Sequence, residues 1–309
     1  MEGMKIAIAG ANGAVGQAIL RRAAESAELT LVAAVRSAHA ADEIRPLLGH
    51  GSSAVQISYS DPASLDAALQ GSSAAIHLAG ILFERPDSSY LQGNVESARG
   101  VVDAAKRCGV QKVVLISAIG ADEASANGYY RTKGQAEALV RASGLRYTIL
   151  RAPLLLGPET EGTAALVRHA SGGKAKLIGG GRHFQQPLYV DDLARAALAA
   201  ARPSVADNLT LDLVGPVSLP DRELVERTAR ALGREVRIAS IPKGLVKFGL
   251  TLRGRTSGPG FSVAVLDVIT ADTRLDPQPA ASALGIRLTG IDEMIQNSLG
   301  PTRETEQKK

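Results

Sequence analysis

The sequence has no tryptophan and a single cysteine, and its aromatic residues are six tyrosines and four phenylalanines. Cys108 alone cannot close an intrachain disulfide and has no second thiol for a sulfur-based metal site, so a reducing cytoplasm is the expected compartment. Aromatics this scarce, and none interleaved with basic clusters, leave no platform on which nucleic-acid bases would stack. An excess of one charge is missing too: 35 Lys and Arg stand against 31 Asp and Glu, a net charge of +4. The basic residues are scattered rather than striped, which argues against nucleic acid as a partner. No apolar run approaches the length of a membrane-spanning helix. The uncharged stretch 6–20 behind Lys5 imitates a signal peptide, but Gly10, Asn12, Gly13 and Gly16 interrupt it where a secretory core would be continuous. His39, His50, His77, His169 and His183 form neither H-x-x-x-H nor H-E-x-x-H, so no metal is expected.

What the chain does contain is the composition of a folded protein, 45% hydrophobic and 21% charged over 309 residues, enough for a full-sized core. Short apolar runs alternate with helical patterns up to residue 151, the signature of βαβ units around a parallel sheet. Strands are expected over 5–9, 31–35, 54–58, 74–78, 112–117 and 146–151, each mostly apolar as befits strands covered on both faces. Helices are expected over 15–27, 64–70 and 94–107, with Asp61-Pro62 as cap and first-turn proline of the second. Beyond Arg151 the rhythm loosens into a glycine triplet at 179–181, a helix over 190–201, a strand near 209–213 and a helix over 219–232. The reading is therefore α/β: a doubly wound, Rossmann-type parallel sheet over 1–151, a smaller C-terminal substrate-side lobe over 152–301 interleaved with it, and a polar tail over 302–309.

The first strand ends in Gly10-Ala11-Asn12-Gly13-Ala14-Val15-Gly16, and an amphipathic helix follows at once. Glycines there permit a tight turn and let backbone N–H groups approach a pyrophosphate, while the helix N-terminus supplies partial positive charge. Gly10, Asn12, Gly13, Val15 and Gly16 are accordingly the candidate cofactor loop. The second strand ends at Val35-Arg36, twenty residues past Gly16, where an NAD-binding domain carries an acid for the ribose 2′-hydroxyl. A cation there pairs with a 2′-phosphate instead, so NADP is favoured over NAD.

After the fifth strand comes Ser117, and twelve residues later Tyr129-Tyr130-Arg131-Thr132-Lys133 opens a helical pattern. Tyr129 and Lys133 are four apart, which puts both on one helix face, where the ammonium is expected to lower the tyrosine from its ordinary value of about 10. Tyr129 is then the candidate proton donor or acceptor, with Ser117 holding a substrate carbonyl oxygen. Asp191 and Asp192 open a helix and read as cap and dipole partners rather than catalytic acids. The segment 242–254 mixes Lys243, Lys247 and Arg253 with Leu245, Val246, Phe248, Leu250 and Leu252; it reads as a cover over a substrate pocket or, alternatively, as a membrane-surface helix.

The order of these motifs resembles the short-chain dehydrogenase/reductase superfamily along nearly the whole chain. His77-Leu78-Ala79-Gly80 is similar to that family's loop beside the adenosine and ribose, which adds Leu78, Ala79 and Gly80 to the cofactor-binding set, and Asn94 stands at the place of its structural asparagine. Leu150-Arg151-Ala152-Pro153 and the stretch 186–194 resemble its extended or atypical branch, close to the complex I accessory subunit group, which holds both enzymes and retired binders. Two departures stand out. The third strand ends in Ser58 where many relatives carry an adenine-contacting aspartate, leaving Ser58 or Asp61 for that role, and Ala152 interrupts the usual Arg-Pro. The resemblance implies an NAD(P)-dependent oxidoreductase, with Ser117, Tyr129 and Lys133 as catalytic residues and Tyr129 and Lys133 also touching the cofactor. Its expected substrate is a small carbonyl or alcohol compound, and the apolar runs at 154–156 and 242–252 point to a hydrophobic one. A non-catalytic NAD(P)H-binding assembly or redox-sensing protein, and a nucleotide-sugar epimerase or dehydratase, are the alternatives.

Overall fold

In a computed structural model, residues 3–253 and 260–300 are described; residues 254–259 of the glycine-rich segment and the expected tail over 302–309 lie outside them. Seven parallel strands form one sheet. In chain order these are β1 (Met4–Ala9), β2 (Leu29–Val35), β3 (Ser53–Gln56), β4 (Ala74–His77), β5 (Lys112–Ala118), β6 (Arg146–Ala152) and, after four strands that lie outside this sheet, β11 (Leu209–Asp212). Their spatial order, β11-β6-β5-β4-β1-β2-β3, reverses between β1 and β4, and a parallel sheet with such a switch point opens a crevice at the carboxyl ends of its strands. The six strands anticipated from apolar runs are present with ends shifted by one or two residues.

Continuous apolar runs form these strands because both faces are covered. On one face lie α1 (Ala14–Ala24), α2 (Ala38–Ile44) and α7 (Val190–Ala201), sharing a core with Ile6, Ile8, Val114 and Ile116. On the other lie α3 (Pro62–Leu69), α4 (Ser97–Arg107) and α5 (Gly128–Arg141), packed on Ala7, Ala9, Val113 and Leu115. Side chains alternate across a strand, so odd positions of β5 face α4 and α5 while even ones face α1 and α7. Residues beyond 152 supply β11 and α7 to this sheet and its core.

The remainder forms a smaller lobe around α6 (Glu161–Ala170), α8 (Asp221–Ala231) and α12 (Ile291–Leu299), with Leu166, Leu224, Met294 and Ile295 in its core. Its strands pair in twos: β7 (Leu155–Leu156) with β10 (Leu188–Tyr189), β9 (Phe184–Gln185) with β12 (Leu219–Pro220), and β8 (Lys174–Ile178) with β13 (Arg237–Ile241). Three helices follow, α9 (Lys243–Arg253), α10 (Val263–Ile269) and α11 (Gln278–Leu284), and no described helix is long and apolar enough to cross a membrane.

Asp191 and Asp192 stand in the first turn of α7 without capping it. Asp191 instead takes a two-pronged ion pair from Arg22 of α1, with N···O distances of 2.7 and 2.5 Å. Asp192, fully buried, accepts from both the backbone N–H and the hydroxyl of Thr289, each at 2.7 Å, and from Arg195. Asp191 thus ties α7 to α1, and Asp192 ties α7 to the segment at Thr289. A buried charge with this many partners holds tertiary structure rather than one helix end.

Candidate functional site

The loop leaving β1 uses its three glycines for three different reasons. Gly10 sits at φ +91°, where a side chain is strained, and a Cβ on it would come 3.1 Å from the backbone N of Ala79. At Gly16, in the first turn of α1, a Cβ would be driven into the Ala11 backbone. Gly13 is the N-cap of α1, and a Cβ there would meet only the Gly10 carbonyl oxygen, at 3.7 Å. It faces a cleft of about 960 Å³ that runs along the carboxyl ends of β1 to β4, at the upper end of the range for small-molecule and cofactor sites. Gly10, Asn12, Arg36, Leu78, Ala79 and Gly80 line the same cleft, while Val15 and Gly16 lie behind its wall.

At one rim the exposed Arg36 approaches Tyr59, whose hydroxyl burial pushes up to about 12 against the pull of that guanidinium. Ser58 and Tyr59 line the cleft; Asp61 instead caps α3 by accepting from Ala63 N at 3.1 Å. Of the two side chains left open for an adenine contact, only Ser58 is on the wall.

At the other end the wall at Gly80 is thin. A Cβ on Gly80 would lie 3.1 Å from Asn94 Oδ1 and 3.2 Å from Lys133 Nζ. Asn94 is held by accepting from Ile81 N at 2.9 Å and donating to Thr132 Oγ1 at 3.0 Å. The helix expected to begin at residue 94 begins earlier, with a π-helical turn over Leu91–Glu96 leading into α4; such turns recur at functional sites. Lys133, on α5, is 6% exposed and donates to Ile116 O at 2.8 Å. No carboxylate among the described residues pairs with it, and burial lowers its pKa to about 8 against the pull of Glu137. An ammonium carries three donors, so the bond to Ile116 leaves two free. Next to it the buried His77 imidazole is pushed down to about 3 by burial and by Lys133, and is neutral at any ordinary pH.

Tyr129 shares α5 with Lys133, but its pKa moves opposite to the sequence expectation. Burial raises it, with Tyr130 and Tyr90 adding to the rise, because the ring packs between theirs at centroid distances of 5.7 and 6.0 Å rather than against a free charge. Ser117, buried near the end of β5, faces the Glu137 carboxylate without a hydrogen bond. Burial opposes ionisation of Glu137, but hydrogen bonds from Arg151 at 2.8 and 2.7 Å outweigh it and hold the carboxyl below its ordinary range. Ser117, Tyr129 and Lys133 thus come from neighbouring parts of β5 and α5, yet none of the three lines the cleft itself. Sequence reasoning missed Thr132 and Tyr90: the first hides inside the Y-x-x-x-K pattern, and nothing in spacing marks the second.

The profile of a family described as NAD(P)H-binding matches residues 10–183. Among curated proteins, the chain is 26% identical to a ceramide reductase of Caulobacter vibrioides over 181 residues, 59% of this chain and 57% of that one. It is 27% identical over 233 residues to the mitochondrial NADH dehydrogenase [ubiquinone] 1 alpha subcomplex subunit 9 of Arabidopsis thaliana, 73% of this chain and 57% of that one. The chain therefore spans little more than half the length of these relatives. Among solved structures, the NADPH-dependent quinone oxidoreductase of Escherichia coli in complex with NADPH superposes with a TM-score of 0.70 at 20% identity, covering 94% of this chain and 98% of that one. Nucleotide-sugar epimerases share the fold as well.

Proposed function

The chain belongs to the NAD(P)H-binding family, and from that premise we propose that it is an NADPH-dependent reductase of a small carbonyl compound with an apolar body, or a dehydrogenase of the matching alcohol. The observation that carries this reading is the buried Lys133 ammonium directly behind Gly80, with two donors to spare at the end of a cleft that is also lined by a glycine loop on a helix N-terminus. The residues fit a dinucleotide: bare backbone at Gly10 and Gly13 for the pyrophosphate, Arg36 for a 2′-phosphate, and Gly80, Asn94 and Lys133 for the nicotinamide ribose. When bound, such a cofactor supplies hydride.

This chain's own residues then have defined work. Lys133 holds the cofactor's ribose and orients Tyr129 one turn away on the same helix face. Tyr129, kept protonated by its raised pKa, donates its proton to the oxygen that becomes an alcohol, the reductive direction. The clustered rings of Tyr90, Tyr129 and Tyr130 exclude water from that oxygen and suit an apolar substrate. Ser117 is the expected oxygen clamp; it lies outside the cleft lining and faces Glu137, which pairs with Arg151 and so ties α5 to β6.

Following NADPH oxidation by the purified chain over a panel of aldehydes, ketones and quinones tests the reading, with saturable turnover of at least one as the expected result. The position of Ser117 away from the cleft favours one second reading, a non-catalytic NADPH-binding protein. Tight NADPH binding with no turnover across the panel would select it.

A further inference from the structure

Large apolar side chains exposed to solvent are few in the described residues, and they are not spread evenly. Eight stand out, and six of them, Phe83, Leu91, Leu245, Phe248, Leu252 and Phe261, lie on three segments that flank Tyr90 and the Tyr129 end of the site. The connections are physical. The Tyr90 hydroxyl donates to Leu82 O at 2.8 Å, which brings Phe83 and Leu91 to Tyr90. Ser262, the cap of α10, lies against the same hydroxyl and follows Phe261 directly. The body of α10 is bound to the start of α5 through Asn127 Nδ2, which donates to Ala264 O at 3.0 Å, and α9 packs on α10 with Lys243 and Lys247 reaching Asp267 at 3.5 and 3.9 Å.

Helix α9 carries the largest share of this surface. At 100° per residue Leu245, Phe248 and Leu252 fall within an arc of about 60°, and they are 64%, 63% and 50% exposed. Val246 and Leu250, on the other side, are half-buried against the protein. Residues 243–253 hold three basic and no acidic residues, and the single Asp267 that Lys243 and Lys247 share leaves one positive charge in excess between these two lysines. A solvent-facing Leu/Phe stripe on a helix with an uncompensated positive charge matches the chemistry of a helix lying in the headgroup plane of an anionic bilayer.

We propose that α9, with the neighbouring Phe261, Phe83 and Leu91, is a membrane-docking surface that seats the chain on an anionic lipid bilayer with the Tyr129 end of the site toward the lipid. A site so placed takes its carbonyl substrate from the bilayer; this last step rests on the reductase reading above, while the docking does not.

Flotation of the full chain with vesicles tests the docking. Vesicles of phosphatidylcholine containing about one third phosphatidylglycerol should carry the protein to the top of the gradient, more strongly than phosphatidylcholine alone and less at high salt. The double variant L245S/F248S removes only exposed apolar surface, so its melting temperature and its stabilisation by NADPH should match wild type while vesicle partitioning falls about tenfold or more. Absence of binding to the anionic vesicles, or equal binding by the variant, overturns the proposal. So does a dimer in light scattering that the variant dissolves while vesicles go unbound, which would assign the surface to a second copy of the chain. In a parallel assay, a long-chain aldehyde presented in the vesicles should react more slowly with L245S/F248S, and a short water-soluble aldehyde equally with both proteins. Failure of every aldehyde to react while flotation succeeds would remove the reductase reading and leave the docking standing.

Discussion

At the glycine loop the working surface of the cleft is bare backbone, whereas behind Gly80 it is a set of polar side chains. Gly10 and Gly13 contribute space and N–H groups; Lys133 and Tyr129 contribute a cation and a proton held where burial has moved both pKa values away from ordinary. A site made of space is destroyed by adding atoms, and a site made of charge by removing them. The two ends therefore answer to opposite kinds of substitution, and each prediction presses on that contrast.

The largest effect belongs to Tyr129→Phe, which keeps the ring between Tyr90 and Tyr130 and deletes the hydroxyl. Turnover should drop by roughly the 10² to 10⁴ typical of lost general acid catalysis, with NADPH affinity nearly unchanged. Lys133→Met should lower both, because the ammonium serves cofactor and tyrosine together. Steady-state kinetics and NADPH titrations on the two variants separate these outcomes, and a Tyr129→Phe enzyme as fast as wild type would dismiss the proton-donor role.

The next effect contrasts two glycines of one loop. Gly13→Val points its side chain into the cleft, so the protein should fold and lose its stabilisation by NADPH, about 2.7 kcal/mol at a hundred times Kd. Gly16→Val instead meets the Ala11 backbone and should lower the melting temperature even without ligand, by overpacking of about 1–3 kcal/mol or more. A thermal-shift series with and without NADPH reads both; retained ligand stabilisation in Gly13→Val would mean that the pyrophosphate lies elsewhere.

That loop was legible from the sequence because glycine's roles in it are local: a turn, a close approach and a helix start, all within seven residues. The doubly wound parallel sheet was legible too, since apolar runs alternating with helices leave few other topologies. The end behind Gly80 was harder. The Y-x-x-x-K spacing puts Tyr129 and Lys133 on one face of a helix, but the direction of the Tyr129 shift depends on burial, which spacing does not encode, and then on Tyr130 and on Tyr90, thirty-nine residues away. Ser117 shows the same limit of spacing as a guide. Alternation along β5 turns it toward α5 and Glu137, and which residue at a strand end meets the cleft is a matter of one position. Asp192 read as a cap because its partner Thr289 is ninety-seven residues on.

A smaller effect is expected at the rim. Arg36→Asp should reverse the preference for NADPH over NADH by costing the 2′-phosphate its partner, about tenfold in relative affinity for an exposed charge-assisted contact. The comparison of both cofactors in both proteins decides it, and an unchanged ratio would make Arg36 a solvated surface residue.

The smallest effect is a pH dependence that only the buried end can have. Lys133 titrates near 8 in the folded chain because burial disfavours its charge, against an ordinary value of 10.5. Between those two values the unfolded chain binds a proton that the folded chain has released, so stability rises with pH across that window, while below it the buried charge exacts its full cost and the slope vanishes. Cofactor binding runs the other way: the ammonium is the form that donates to the ribose, so NADPH affinity should decline severalfold as pH rises through about 8, and bound NADPH should in turn raise the Lys133 pKa. Lys133→Met should bind weakly at every pH with a flat profile over the same range, while Gly13→Val, which fails by crowding, should never regain affinity at low pH. A wild-type affinity that stays level from about pH 7 to about pH 9.5 would detach Lys133 from the cofactor and leave its ammonium a structural donor to Ile116.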